Sequence, residues 1–580
     1  MAVIHAANLP ERRPLVGGWA GKVLCSARML HLRQDVTRRV SEAVGRMAER
    51  QGVEPESCPP VEVVASKRPD HGDYSTNFAL VAAPTWKRAP REIADALAEA
   101  LRGDPAFAAA EIAGPGFINL RLSPQYLGGW TAEAFRREER LGTLEAEPSE
   151  RYLVEFVSVN PNGPIHVGHG RGAAYGDTLS RILIAAGHAV EREFYVNDGV
   201  NSEQMRLFAL SVKCRYRELL GLASEFPEGG YRGEYVDEIA RQILDQHGDG
   251  HADDGAEFFQ PTSQELMMAV QRDDLARFGV VFDRWFSEQS LYDNGKVPQA
   301  IEALRARGHV YEKDGALWLR STEFGDDKDR IVIRSDGRPT YIASDIAYHK
   351  DKFDRGYDRL INVWGADHHG YIARTAAGIQ ALGYERERFE VVITQIVRFL
   401  EHGETKQMSK RDGTLVRLSD LMDEVGVDVT RFFYLMRSVD AHMDFDLDLA
   451  REHSEKNPVY YVQYAHARIT SLLAKAEEAG FSADPSQCHL LMEQPERELA
   501  LKIWDLPYEV GRSAASKEVH TLTTYALDLA RCYHNFYDKC RVLRPEDPER
   551  SAARLALCKA TRSAIRSVCS LLGISAPDAM

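Results

Sequence analysis

The sequence predicts a doubly wound α/β domain, with a parallel sheet, between a small α+β domain and an all-helical bundle. Two separated segments each show a strand–helix–strand pattern, and the pattern turns wholly helical after residue 420. The chain has 580 residues, enough for about four domains. We expect domains at 32–145, 150–420 and 421–580, preceded by a disordered extension at 1–31.

The composition is that of an ordinary globular protein. Hydrophobic residues make up 44% of the chain and charged residues 27%, and the formal net charge is −15. These values argue against a disordered, collagen-like or membrane-spanning chain and against a basic protein that packages nucleic acid. Eight scattered cysteines without a C-x-x-C pair predict free thiols in a reducing cytoplasm, with neither zinc nor disulfides.

The first folded segment combines helices and strands. The leading segment lacks the apolar core of a secretory signal, so we interpret it as an upstream start before Met29, with a transit peptide as the alternative. The helix Pro90–Arg102 has its proline in the first turn, where a missing N–H does no harm. The other predicted elements are a helix Val36–Gln51 and strands at Val61–Val64 and Phe117–Leu122.

The central domain is predicted from two strand–helix–strand units. In the first, between Tyr152 and Val196, Gly187 stops an amphipathic helix between two strands. In the second, between Leu360 and Ile393, Gly383 has the same place. Two such units in one parallel sheet make a doubly wound core. Residues 201–330 between them are expected to form a mostly helical insertion.

The clearest motif is the segment 160–172, NPNGPIHVGHGRG, which follows the first strand. Ligands of open α/β sheets bind at the carboxyl ends of the strands, where helix N-termini present free N–H groups. Glycines at alternate positions allow close approach to the backbone. The motif therefore suits an adenine nucleotide whose phosphates lie over the helix start. Alternatives are that His166 and His169 cap the helix, or bind a metal with a third ligand from Asp367-His368-His369.

A second motif follows the second unit. The polar segment 406–413, KQMSKRDG, places a lysine and an arginine where a pyrophosphate leaving group would need charge. Taken alone, such a segment is equally typical of a solvated basic loop.

Together the two motifs resemble class I aminoacyl-tRNA synthetases. His166-Val167-Gly168-His169 resembles the HIGH box and segment 407–411, QMSKR, resembles the KMSKS loop, with Gln407 and Arg411 as departures. Other stretches resemble the arginyl-tRNA synthetase family, and the resemblance covers residues 32 to 580. They are 155–161, 195–198, 324–330, 340–349, 364–371, 443–447, 572–580 and, in the first domain, 72–74 and 114–119.

The resemblance implies ATP-dependent activation of L-arginine followed by transfer to tRNA(Arg). Catalysis would rest on His166, His169 and Lys410, with Mg²⁺ carried by the ATP and no metal held by the protein. The residues expected at the ATP site are Pro161, Gly163, Pro164, His166, Gly168, His169, Gly170, Met408, Ser409 and Lys410.

The arginine pocket is expected from five positions. Tyr341 and Asp345 are four residues apart, hence on one helix face, and offer an aromatic ring and a planar carboxylate to a guanidinium. The resemblance also places Glu155, Asn160 and, from the second unit, His368 or Asp367 there. A structural salt bridge or cap is the alternative for each.

The resemblance makes the helical C-terminal domain the reader of the anticodon and the N-terminal domain a contact for the tRNA elbow. Tyr460, Gln463, Tyr464 and Arg468 offer stacking and base-edge groups, although a Tyr-rich helix is equally typical of a core. We expect a cytoplasmic monomer. The rival functions are a synthetase for another amino acid, a small-molecule nucleotidyltransferase and a non-catalytic tRNA-binding protein.

Overall fold

The computed structural model describes residues 31–54, 57–66, 68–199, 202–406 and 417–580. The chain divides into two compact units, one reaching residue 123 and including 144–148, the other comprising 124–143 and 149–580. The expected boundary at residue 145 therefore needs correction. The helix Pro124–Arg137 belongs to the second unit, where Trp130 meets Trp504 edge-to-face at 4.8 Å. The expected extension lies almost wholly outside the described residues.

The first unit has the predicted α+β architecture. A four-stranded antiparallel sheet is covered by helices whose apolar faces are buried, as at Ile93, Leu97 and Leu101. The strands, in sheet order, are Val63–Ala65, Tyr74–Thr76, Phe117–Leu122 and Phe107–Ala113. The helices are Leu32–Arg50, Phe78–Trp86 and Pro90–Arg102.

The second unit contains the predicted doubly wound sheet. Its five strands are all parallel, and Leu153, Val154 and Leu360 at its centre are fully buried. In sheet order the strands are Phe389–Thr394, Arg359–Gly365, Arg151–Glu155, Ala189–Val196 and Arg284–Ser287. Strand order reverses between Arg151–Glu155 and Arg359–Gly365, and this switch point is where such sheets bind ligands. The covering helices are Val167–Ala185, Tyr341–Asp354 and Ile372–Ala381.

The insertion at 201–330 is mostly helical, as expected, but it also contains strands. Its first part is helical, but the chain then returns to the parallel sheet as the edge strand Arg284–Ser287. Its residues, Arg-Trp-Phe-Ser, do not alternate between polar and apolar, so the sequence carries no strand period there. The helices are Glu203–Leu219, Glu234–His247, Ala256–Arg277, Gln289–Asp293 and Lys296–Ala306. A three-stranded antiparallel sheet follows, made of Val310–Lys313, Ala316–Leu319 and Arg330–Ile333.

A small sheet and a helical bundle complete the second unit. The sheet has the order Glu404–Lys406, Val397–Glu401, Met443–Asp446. The described helices after it are Leu418–Val425, Val427–Leu435, Leu447–Arg451, Pro458–Glu478, Gln494–Ile503, Asp505–Ser516, His520–Lys539 and Pro548–Leu572. Across the described ranges, we find no helix that combines the length and apolarity needed to span a membrane.

Candidate active site

A cleft of about 1400 Å³ opens at the carboxyl ends of the parallel strands, at the switch point. Its walls come from the end of the strand Arg151–Glu155, the start of the helix Val167–Ala185, the helix Glu203–Leu219 and the N-terminal half of the helix Tyr341–Asp354. Residues from both strand–helix–strand units therefore face one space.

The strand Arg151–Glu155 is followed by a strained turn at the floor of the cleft. Val157 and Ser158 both have left-handed backbones, with φ of 69° and 44°, a conformation that is unusual for a β-branched residue. The Ser158 hydroxyl holds the turn: it donates to Glu155 Oε1 at 3.2 Å and accepts from the Tyr195 N–H at 3.1 Å. The fixed turn directs the chain into the segment 160–172.

His166 and His169 lie at the start of the helix Val167–Ala185 and line the cleft. His166 Nδ1 accepts from the Gly168 N–H at 3.0 Å, so this ring does cap the helix, as the alternative interpretation held. Its other ring nitrogen, Nε2, is not used by that bond. His169 is exposed to the cleft, and the protein atoms that surround it there, together with nearby His166, lower its pKa to about 4. His169 is therefore neutral at physiological pH.

The two glycines expected to make room for adenosine have different surroundings. A Cβ on Gly170 would lie 2.7 Å from the Tyr434 ring and 2.8 Å from Leu418. Gly170 thus permits packing beneath the helix, which corrects the expectation for this residue. A Cβ on Gly168 would instead meet the His166 ring at 3.1 Å. Gly163 and Pro164 line the cleft, whereas Pro161 is buried.

Tyr341 and Asp345 lie in the first two turns of the helix Tyr341–Asp354 and share one face, as their spacing predicts. Tyr341 is 75% exposed and faces the cleft. Loss of water, aided by the negative charges of Glu288 and Glu155, raises the pKa of Asp345 to about 7. This end of the cleft is therefore rich in carboxylates, and the nearby cations Arg374 and Lys352 offset the shift only in part.

Glu155 is buried and belongs to an ion pair. Lys352 Nζ, itself fully buried, donates to Glu155 Oε2 at 2.5 Å and to Asn362 Oδ1 at 3.3 Å. The salt bridge considered as the alternative for Glu155 thus exists, and the carboxylate still lines the cleft floor. Its negative charge is largely matched by the lysine.

The other two expected positions lie at the cleft wall. Asn160 is held by two neighbours: its amide donates to Gln204 Oε1 and its oxygen accepts from Asn197 Nδ2, both at 2.7 Å. His368 is exposed at the rim, with Nε2 3.6 Å from Asp367 Oδ2. Within the described ranges no group of three His, Cys, Asp or Glu side chains is arranged to hold a metal ion.

Glu288 and Tyr292, at the acidic end, are two site residues that were not expected from the sequence. Both line the cleft, and the Tyr292 hydroxyl is 2.6 Å from Ser344 Oγ, beside Asp345. Glu288 directly follows the overlooked edge strand Arg284–Ser287. Once Arg284–Ser287 is recognised as a strand of the parallel sheet, Glu288 and Tyr292 can be identified as site candidates, because both follow its carboxyl end.

The remaining candidates fall into two groups. Met408, Ser409 and Lys410 lie outside the described residues. Of the tRNA candidates, Tyr460, Tyr464 and Arg468 are partly exposed on the helix Pro458–Glu478. Gln463 is different, because its side chain is buried and its amide donates to Asp428 at 2.7 Å and to Ser575 at 3.1 Å. This placement corrects the base-edge role expected for Gln463 and favours a structural one.

Arg468 has an aromatic environment within the bundle. Its guanidinium lies over the Tyr537 ring at 3.9 Å and donates to His534 Nδ1 at 3.3 Å. The neighbouring Tyr464 ring stacks on His534 at 5.9 Å between centroids. The partly exposed group is therefore preorganised by ring contacts.

Family models match three parts of the chain. The arginyl tRNA synthetase N terminal domain matches residues 31–122, the catalytic domain of tRNA synthetases class I (R) matches 133–433, and the DALR anticodon binding domain matches 462–580. The catalytic match spans the whole cleft described above.

Individual relatives agree with the family models. An arginine–tRNA ligase of Bacillus subtilis is 48% identical over 91% of this chain and 96% of its own length, and one of Desulfitobacterium hafniense is 45% identical over 90% and 95%. A putative arginyl-tRNA synthetase structure from Campylobacter jejuni superposes with a TM-score of 0.73 at 33% identity, covering 79% of this chain and 100% of that one. The chain belongs to the arginyl-tRNA synthetase family and carries that family's class I catalytic domain.

Proposed function

We propose that the chain is an arginine–tRNA ligase whose cleft binds ATP at the histidine end and arginine at the acidic end. The observation that carries this proposal is the opposite chemistry of the two ends within one cleft. A polyanion fits the positive end of the helix and the two histidine rings there, and a guanidinium fits the carboxylates. Relatives at 48% and 45% identity bear the name arginine–tRNA ligase.

The first step joins the two ligands that are bound at the two ends of the cleft. An oxygen of the arginine carboxylate attacks the α-phosphorus of ATP, forms a P–O bond and displaces pyrophosphate. No protein nucleophile is needed, so catalysis comes from positioning and charge stabilisation. His166 and His169 meet the phosphates as hydrogen-bond donors. His169 does so as a neutral ring, because its pKa is about 4. Lys410 neutralises the departing pyrophosphate.

The second step transfers the arginyl group. A hydroxyl of the terminal ribose of tRNA(Arg) attacks the carbonyl carbon of arginyl-adenylate, and AMP leaves with the bonding electrons. Tyr460, Tyr464 and Arg468 are proposed to contact the tRNA, because they are partly exposed in the segment matched by the DALR anticodon binding domain. Mg²⁺ would reach the site on the triphosphate, where it supplies positive charge.

At the acidic end, Asp345 accepts from the guanidinium and Tyr341 covers it. Glu155 and Asn160 hold the polar groups of the amino acid, and His368 stands at the rim. Because Lys352 already pairs with Glu155, Asp345 carries the larger share of unmatched charge. We propose further that the protein acts as a monomer in the cytoplasm.

The direct test is pyrophosphate exchange into ATP with each amino acid, with and without tRNA. We expect exchange with arginine, and none above background with lysine, cysteine or glutamate. Exchange with another amino acid in place of arginine would overturn the substrate assignment. Failure of every amino acid, with tRNA present, would favour a non-catalytic tRNA-binding protein.

A further inference from the structure

A buried lysine lies beneath the acidic end of the cleft. Lys352 belongs to the helix Tyr341–Asp354, and its side chain is fully buried. Its ammonium donates to Glu155 Oε2 at 2.5 Å and to Asn362 Oδ1 at 3.3 Å, and it lies 4.0 Å from the centre of the Tyr348 ring. The ammonium is therefore held on three sides by groups that suit a cation.

The two polar partners of this lysine lie side by side at the switch point of the sheet. Glu155 is the last residue of the strand Arg151–Glu155, and it pairs in register with Asn362 on the neighbouring parallel strand Arg359–Gly365. Both side chains line the cleft. One ammonium thus joins the two central strands where the cleft opens, and it fixes the Glu155 carboxylate at the floor.

A chain of hydrogen bonds runs from the same lysine to the turn that carries Asp345. Lysine can only donate, so Asn362 accepts with its oxygen, and its amide donates to His349 Nε2 at 3.2 Å. His349 Nδ1 then carries the proton and donates to the main-chain carbonyl of Asp345 at 2.7 Å. Burial and the charge of Lys352 lower the pKa of His349 to about 3, so the ring is neutral and the direction of the chain is fixed.

The charge of Lys352 also acts on Asp345. The lysine lies seven residues farther along the same helix, or about 10 Å along its axis. It lowers the pKa of Asp345, whereas the negative charges of Glu155 and Glu288 raise it. The titratable groups that act on Asp345, or on which Asp345 acts, are Glu155, Glu288, Tyr195, Tyr292, Arg374 and Lys352.

Packing alone does not account for this lysine. Apolar residues of similar volume often stabilise a buried position as well as an ion pair does. Here the pair has a second effect, because Glu155 lines the cleft. With Lys352 in place, the Glu155 carboxylate can accept hydrogen bonds without adding a full negative charge beside Asp345.

We propose that Lys352 is a positioning residue for arginine, which holds the Glu155 carboxylate at the cleft floor and supplies a buried positive charge that both pocket carboxylates share. The proposal rests on the proposed function. It goes further, because it makes arginine binding and its pH dependence depend on a side chain that is fully buried.

The test removes the two charges of the pair singly and together. Lys352→Met, Glu155→Gln and the double variant are made in the full chain, and kcat/KM for arginine is measured by pyrophosphate exchange, with tRNA present, from about pH 5 to pH 9. Lys352→Met should raise the midpoint of the profile by about one pH unit, because Asp345 loses a nearby positive charge. Glu155→Gln should lower the midpoint. The double variant should stay within about 0.3 of wild type, since the two losses oppose each other.

Lys350→Met is the matched control. Lys350 lies on the same helix, where it is partly exposed and pairs with Asp354 at 2.7 Å. We expect this variant to leave the midpoint unchanged, and we expect the KM for ATP to stay within about twofold of wild type in Lys352→Met. A lysine that serves packing alone would lower the unfolding temperature and leave the midpoint in place, and that result in Lys352→Met would overturn the proposal.

A second measurement does not depend on turnover. Calorimetric titration with arginine at pH 7, in two buffers of different ionisation enthalpy, gives the number of protons released on binding. Wild type should release about half a proton and Lys352→Met about 0.9, because more of Asp345 is protonated before arginine binds. Equal release from the two proteins would contradict the shared charge. A wild type that neither binds arginine nor shows arginine-dependent exchange would refute the proposed function itself, which is a separate result.

The double variant keeps the test decisive if Lys352→Met does not fold. It leaves no unpaired charge from this ion pair, so its folding is expected to be less affected. It differs from Glu155→Gln only by the lysine, and its midpoint should therefore be higher by about one pH unit. Equal midpoints in these two variants would show that Lys352 does not act on Asp345.

Discussion

At the two ends of the cleft, partial loss of water shifts the pKa of an ionisable side chain in opposite directions. Loss of water lowers the pKa of His169 to about 4 and raises that of Asp345 to about 7. Both shifts favour the neutral form, so each end avoids a bare charge until a ligand supplies the counter-charge. The histidine end therefore offers hydrogen bonds to a polyanion, whereas the acidic end acquires its full charge when a cation binds.

The largest effect is expected at the acidic end. Asp345→Asn should lower kcat/KM for arginine by roughly 10⁴, since the amide cannot accept two charge-assisted bonds from a guanidinium. The value for citrulline, which is neutral, should change far less, and nucleotide affinity measured by titration should stay the same. Asp354→Asn is the matched control, because Asp354 lies on the same helix and pairs with Lys350 at 2.7 Å. Surviving arginine turnover with collapsed ATP binding would move Asp345 to the nucleotide end.

The next effect sharpens the comparison at the histidine end. Lys410→Ala should lower kcat by about 10²–10³ with little change in the KM values for ATP and arginine, because the charge acts on the transition state. Lys313→Ala, at an exposed lysine in the antiparallel sheet, serves as the control. An unchanged kcat would favour the solvated basic loop instead.

The pH dependence of the kinetic constants should distinguish the two ends of the cleft, with an effect smaller than those of the two substitutions above. Asp345 loses its charge as the pH falls through about 7, so kcat/KM for arginine should fall by about tenfold between pH 8 and pH 6. The KM for ATP should not follow this curve, because His169 with its pKa of about 4 stays neutral throughout the range. Stopped exchange assays between pH 6 and pH 8 would measure both kcat/KM for arginine and the KM for ATP. A curve that persists in Asp345→Asn would assign the titration to another group.

The smallest kinetic effect is expected from Gly170→Ala. The new methyl group would press on Tyr434 and Leu418, so we expect a loss of about 1–3 kcal/mol in the free energy of unfolding. The KM for ATP should stay near wild type at temperatures where the protein is folded. Gly168→Ala, whose methyl group would meet the His166 ring, should instead raise the KM for ATP. Denaturant unfolding and exchange kinetics on both variants separate packing from binding.

Much of the fold was predictable because its signals are local. The helices Val167–Ala185 and Ile372–Ala381 end where Gly187 and Gly383 adopt left-handed backbones, and the helix Pro90–Arg102 begins at its proline. The edge strand Arg284–Ser287 was not predicted, because its residues do not alternate between polar and apolar and their identity as a strand depends on pairing with Ala189–Val196.

The features of the site also fall into those that could be predicted from the sequence and those that could not. Spacing along single elements was enough to predict the order of the strand–helix–strand units, the two histidines at a helix start, and the shared face of Tyr341 and Asp345. Four features follow only from the packed fold: Lys352 neutralises Glu155, Glu288 joins Asp345, Gly170 accommodates Tyr434, and Gln463 is buried. Each of these depends on a partner far away in the chain, and burial and charge are properties of the packed neighbourhood that no local pattern encodes.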